Sequence, residues 1–282
     1  MEHANLWIWM ALVLFVWTRA WRFGFFRQPE EIGRLAPSLG EVGLVFFTYL
    51  FVQLLVASSL VQVLYELAGV PVKEAFTQPG AILWVLVAGG FLGLSFVLPF
   101  TYRTQTHSPQ IWQWGPQTPW APLRHFGLGV VTWLVAFPFV AIINFGAQTW
   151  ITWLTNQGPH EQVAVRMVKN EGASLLQIIL VLSSVAVLIP IVEEILFRGF
   201  LQSYLRRRFG VWSSIALSSL CFSMFHFSWS QSWSNVTILL SLSVLGLFLG
   251  YLYERQRSLS APIGLHVAFN TISLTYIFLY DR

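Results

Sequence analysis

Two adjacent glutamates, Glu193 and Glu194, stand inside the apolar run Leu188-Ile-Pro-Ile-Val-Glu-Glu-Ile-Leu-Phe-Arg198. Carboxylates in a segment of this kind are costly at membrane depth, so they tend to be paired and to serve a function. Two histidines follow on separate apolar segments, His226 in Phe222-Ser-Met-Phe-His226 and His266 in His266-Val-Ala-Phe-Asn270. Two carboxylates, two imidazoles and an amide in hydrophobic surroundings are the parts of an acid/base site, in which a positioned side chain takes and returns a proton. On a helix, residues four apart share a face, whereas adjacent ones diverge by about 100°. Glu194 and Arg198 are therefore expected to pair, which leaves Glu193 without a local partner. Pro190 removes a backbone donor three residues before Glu193 and is expected to kink the helix there.

Taken singly, these residues are weak signals. A lone glutamate in a membrane helix is often only a hydrogen-bonding group between helices, and a lone buried histidine is more often a satisfied core residue than a catalyst. The joint pattern is stronger, because of the six histidines only His226 and His266 lie well inside apolar segments. His3, His107, His125 and His160 fall in termini, loops or at a segment edge and read as solvated or interfacial. Cys221 reads as a small core residue. Ser223, Ser228 and Ser230 lie near His226, but no acid–histidine–serine order emerges from them.

The elements that position these groups must be transmembrane helices. The chain has 282 residues, 56% hydrophobic and 10% charged, whereas soluble domains carry about 25% charged residues. Too little charge is present to cover a water-facing surface, so the chain reads as an all-α, multi-pass integral membrane protein. A spanning helix needs about 20 mostly apolar residues. Eight segments qualify: 5–23, 40–65, 81–100, 126–154, 174–200, 211–228, 235–253 and 261–280. The first has no basic leader and no small-residue cleavage site, so it reads as a retained span. The fourth is expected to tilt or break near Pro138. At 1.5 Å per residue, Glu193 lies about 20 Å from the Arg206 end of its segment, so the polar groups of the later segments are expected to meet in mid-bilayer.

Charge distribution reports topology rather than nucleic-acid binding. Lys and Arg are concentrated in the connections after the first, third, fifth and seventh spans, with Arg206, Arg207 and Arg208 the densest cluster. The positive-inside rule then places those connections in the cytoplasm and both termini outside. Loop 101–125, with Trp112, Trp114 and Trp120, reads as an interfacial belt. The polar loop 156–173 is expected to lie outside and to include a short surface helix. One cysteine excludes an internal disulfide and a multi-cysteine zinc site. No internal repeat and no glycine-rich phosphate loop is present, which argues against a nucleotide-driven pump.

These motifs closely resemble the CPBP family of intramembrane proteases, which includes CAAX prenyl endopeptidases and bacteriocin-processing or self-immunity (Abi-type) proteins. That family carries EExxxR, FxxxH and HxxxN or HxxxD on successive transmembrane helices. Here they stand as Glu193-Glu194-xxx-Arg198, Phe222-xxx-His226 and His266-xxx-Asn270. The resemblance covers residues 174–280. It implies a catalytic core of helices 5–8 over 174–280, preceded by helices 1–4 over 1–160.

It further implies that Glu193, with His226, activates a water for attack on a peptide carbonyl. His266 and Asn270 would bind the oxyanion or orient the water, and Glu194 and Arg198 would support the helix. The implied activity is that of a membrane-embedded endopeptidase acting on membrane-associated or lipidated peptides or proteins, in contact with lipid. A bacterial cytoplasmic membrane is the expected location. No cofactor is called for. Zinc held by the two histidines and Glu193 is the rival mechanism, but His-Glu-x-x-His is absent and the sequence offers few polar groups near these spans to orient the histidines as ligands. A non-proteolytic scaffold or immunity-type protein retaining the motif is the alternative function, and a proton-relaying transporter a third.

Overall fold

In lipid the backbone finds no water to bond, so a spanning segment must satisfy its own amide groups, and a helix does so within one segment. The computed structural model describes residues 2–27, 29, 36–77, 80–103, 111–113, 118–156 and 175–280. Among these, eight helices carry the architecture: α1 (Glu2–Arg22), α2 (Leu39–Leu67), α3 (Ala81–Arg103), α4 (Ala121–Thr155), α5 (175–209), α6 (211–224), α7 (Ser234–Gln256) and α8 (Ser260–Tyr280). The chain is an all-α, multi-pass membrane protein.

Among the described residues, five runs are long and apolar enough to cross a membrane: α2, α3, α4, the joined α5–α6 run and α7. The fifth and sixth expected spans are continuous in hydrogen bonding but are separated by Gly210, whose φ of 78° breaks the helical path. Glycine occupies this left-handed region without the steric cost of a Cβ. α4 runs through Pro138 as one helix rather than breaking there. α2 starts on a capping box, in which the Ser38 hydroxyl accepts from Glu41 N–H and the Glu41 carboxylate accepts from Ser38 N–H. Three π-helical stretches interrupt the α-geometry, at Val52–Val56, Ser184–Leu188 and Ile195–Gln202. The last two flank Pro190 and the paired glutamates, and π-turns of this kind are frequent at functional sites.

α5, α7 and α8 supply most of one apolar core, and α2, α3, α4, α6 and Ile111 add the rest. The seam between α4 and α8 is made by glycines. A Cβ on Gly129 would meet the Ala261 carbonyl and the Leu265 amide, and one on Gly264 would meet the Phe126 carbonyl. Small residues let membrane helices approach this closely. From below, residues 111–113 form a strap under the turn between α7 and α8. Trp112 O accepts from Leu259 N–H at 2.8 Å, Tyr253 Oη donates to Ile111 O at 3.0 Å, and Gln113 bridges to Ser258. Ile111 fits against Gly199, where a Cβ would come within 2.9 Å of it.

Several expectations are corrected here. Trp112 packs against the core instead of forming part of a belt, although Trp120 is exposed as a belt residue would be. Of the two readings of His125, solvated or interfacial, the first is corrected: it is buried, at 6% exposure. Cys221 is exposed on the outer face of α6 and is not a core residue. Trp114, His107, His160 and nearly all of loop 156–173 lie outside the described residues, as does the side chain of His3.

Candidate active site

The ion pair expected from i,i+4 spacing is present. Arg198 Nη1 lies 3.1 Å from Glu194 Oε1, and both side chains are fully buried. A charge pair survives such burial only with added hydrogen bonds. Arg198 Nη2 supplies one by donating to the Gly246 carbonyl of α7 at 3.1 Å. Its guanidinium also lies 4.7 Å from the centre of the Phe222 ring, where the electron-rich face attracts a cation. Phe222 thus has a physical role in its motif: its ring touches Arg198 and packs edge-on to both His226 and His266.

His266 connects the two glutamates. Its Nδ1 is 2.8 Å from Glu194 Oε1, and its Nε2 is 3.6 Å from Glu193 Oε2. His226 approaches Glu193 from the other side, with Nε2 3.8 Å from Oε1. Its Nδ1 lies 3.0 Å from the Phe222 carbonyl. A carbonyl can only accept, so Nδ1 carries the proton in that contact, and in the neutral ring Nε2 is then the acceptor that faces Glu193. Separations of 3.6 and 3.8 Å exceed a hydrogen bond. Glu193 is therefore close to two imidazoles and bound to neither, with 13% of its side chain exposed against 33% for His226.

Two placements differ from the sequence expectation. α6 ends at Met224, so His226 lies in the turn beyond the helix instead of inside a span. That turn is held by Asn235, whose side chain bonds both Ser228 N–H and Ser228 O. Asn270 does not join Glu193 and the histidines through its amide nitrogen, which donates to Val185 O at 3.0 Å.

Two of the first four helices, α2 and α3, contribute to the site, and no motif announced it. Phe46 of α2 packs edge-on to Phe197 and Phe225. Tyr49, one turn on, is buried within electrostatic reach of Glu193. Its ring lies beside Gly93 of α3, 3.6 Å from where a Cβ would stand. Only helical spacing from Phe46 could have hinted at this face.

Residues 175–272 match the family model described as type II CAAX prenyl endopeptidase Rce1-like. This part of the chain is similar to the CAAX protease family. All seven motif residues, Phe222 among them, fall within the matched segment. An Escherichia coli protein described as an uncharacterized 24.3 kDa protein is 30% identical over 156 residues, covering 55% of this chain and 66% of its own length. The chain thus spans slightly under two thirds of that relative. No solved structure matches.

The Nδ1 atoms of both histidines meet acceptors. That orientation would also suit metal ligands, so the expected shortage of orienting partners does not hold. Even so, among the described residues no three His, Cys, Asp or Glu side chains are grouped to hold one ion.

Proposed function

We propose that the protein is an intramembrane endopeptidase in which Glu193 activates water without a metal. The observation that carries this reading is the position of Glu193, faced by the ring nitrogens of His226 and His266 and bonded to neither. A water beside Glu193 Oε1 and His226 Nε2 could donate a hydrogen bond to each. Glu193 would take its proton as the oxygen attacks the scissile carbonyl. Collapse of the tetrahedral intermediate would return that proton to the leaving amine. His266, oriented through Nδ1 by Glu194, would stabilise charge developing beside Glu193, a contribution that is often the largest in acyl transfer.

Residues 174–280 would form the catalytic core. Helices in 1–160 would complete its walls, with Phe46 and Tyr49 of α2 beside the site. Membrane-associated or lipidated peptides are the substrates that such a buried site suits. We place the chain in a bacterial cytoplasmic membrane with both termini outside, a topology supported by the Lys and Arg distribution.

The test is incubation of purified protein in detergent with matched peptides, prenylated and unprenylated at a C-terminal cysteine, followed by mass spectrometry. Discrete internal cleavage products are expected. If every peptide remains intact while the protein is folded, the non-proteolytic scaffold reading gains.

A further inference from the structure

Pro190 creates a bonding deficit that begins one π-turn upstream. In the π-helical stretch Ser184–Leu188, the Ile189 N–H reaches back to Ser184 O. In an α-helix that N–H would have served Val185 O. The register shift passes Val185 O on to the next N–H, five residues ahead of it. That residue is Pro190, which has none. Val185 O is thus left unserved by both helical registers, at a depth where water does not compensate. The Asn270 amide of α8 donates to it at 3.0 Å.

From this we infer that Asn270 is a positioning residue, its side-chain amide standing in for the backbone N–H that Pro190 cannot supply. The inference rests on the proteolytic reading for its activity measurement and departs from the oxyanion or water-orienting role that the motif suggests.

The consequence for the site follows from two links between the same helices. On α5, Val185 precedes Pro190 and Glu193 follows it by three residues. On α8, Asn270 follows His266 by one turn. The Asn270–Val185 bond and the contacts of His266 with Glu193 and Glu194 therefore tie α5 to α8 at two levels. Ser184 ties the same π-turn to α3, its hydroxyl donating to Leu86 O at 2.7 Å. Pro190 keeps the π-turn open, the turn offers a carbonyl sideways, and Asn270 uses that carbonyl to fix how far α8 slides along α5. His266 then meets both carboxylates instead of one.

The experiment is a rescue. Asn270→Ala should lower kcat by about ten- to a hundredfold, with KM changed less than threefold, and should lower the detergent melting temperature. Adding Pro190→Ala restores an N–H and lets the helix close its own ladder. The double variant should regain at least tenfold in kcat over Asn270→Ala and recover most of the melting temperature. A double variant that folds like wild type but is no more active than Asn270→Ala would overturn the inference, because the amide would then be acting on the substrate. If Glu193→Gln shows that cleavage does not depend on Glu193, the glutamate reading fails by itself. The melting-temperature rescue still decides the Asn270 assignment, and its absence would refute it.

Discussion

His266 Nδ1 and Glu194 Oε1 lie 2.8 Å apart with both side chains buried, and the same oxygen accepts from Arg198. Glu194 is therefore shared by a cation on its own helix and an imidazole on α8. It acts as the fixed point between the motif of α5 and that of α8.

Removing that point should be expensive. Glu194→Ala removes the ion-pair partner of buried Arg198 and leaves it the Gly246 carbonyl, the Phe222 ring and the charge of Glu193. Breaking one partner of a buried pair costs about 3–5 kcal/mol. Thermal unfolding in detergent should show a clearly lowered midpoint together with lost cleavage. An inactive variant as stable as wild type would instead make Glu194 a direct participant.

His226 offers the opposite separation. His226→Asn keeps an amide N–H near the Phe222 carbonyl but removes Nε2, which faces Glu193. Its melting temperature should stay close to wild type while cleavage falls by about 10²–10⁴, the usual share of a proton-transfer group. Steady-state kinetics beside a melting curve checks both halves.

How much of this was legible in the sequence depended on whether local spacing controls the contact. The Glu194–Arg198 pair follows from helical periodicity alone, and the apolar segments reveal the spans. The pairing of His266 with both glutamates follows from neither, because it depends on how closely α8 approaches the rest of the bundle. Asn270 was hidden for another reason: a π-turn shifts which carbonyl is free, and no residue type announces that shift. Phe227 continues the apolar run past His226, so hydropathy extends the helix there, whereas an Asn235-bonded turn stops it at Met224. Cys221 and His125 show that hydropathy identifies a span but not which face of it looks inward. The strap at Ile111 was equally unreadable, since it rests on Gly199, far away in sequence.

The glycine seam gives a prediction unconnected with chemistry. Gly129→Val would drive side-chain atoms into the backbone of α8 at Ala261 and Leu265. Overpacking costs about 1–3 kcal/mol and would displace the helix that carries His266. Yield and melting temperature should both drop, and Gly127→Val, where a Cβ meets nothing within 4 Å, is the control.

Metal dependence is separable from all of these. Activity should persist in 1,10-phenanthroline, and elemental analysis of active protein should give well under one zinc per chain. Activity lost on chelation and restored by stoichiometric zinc would make Glu193, His226 and His266 ligands instead of a metal-free acid/base set.

The most direct measurement is turnover by Glu193→Gln on a peptide that the wild-type protein cleaves, beside its melting curve. Glutamine keeps the volume of the side chain but cannot take a proton from water. With Glu193 as the base, cleavage falls to background while the melting temperature stays within a few degrees of wild type. Turnover at the wild-type rate by a folded Gln variant would contradict the account.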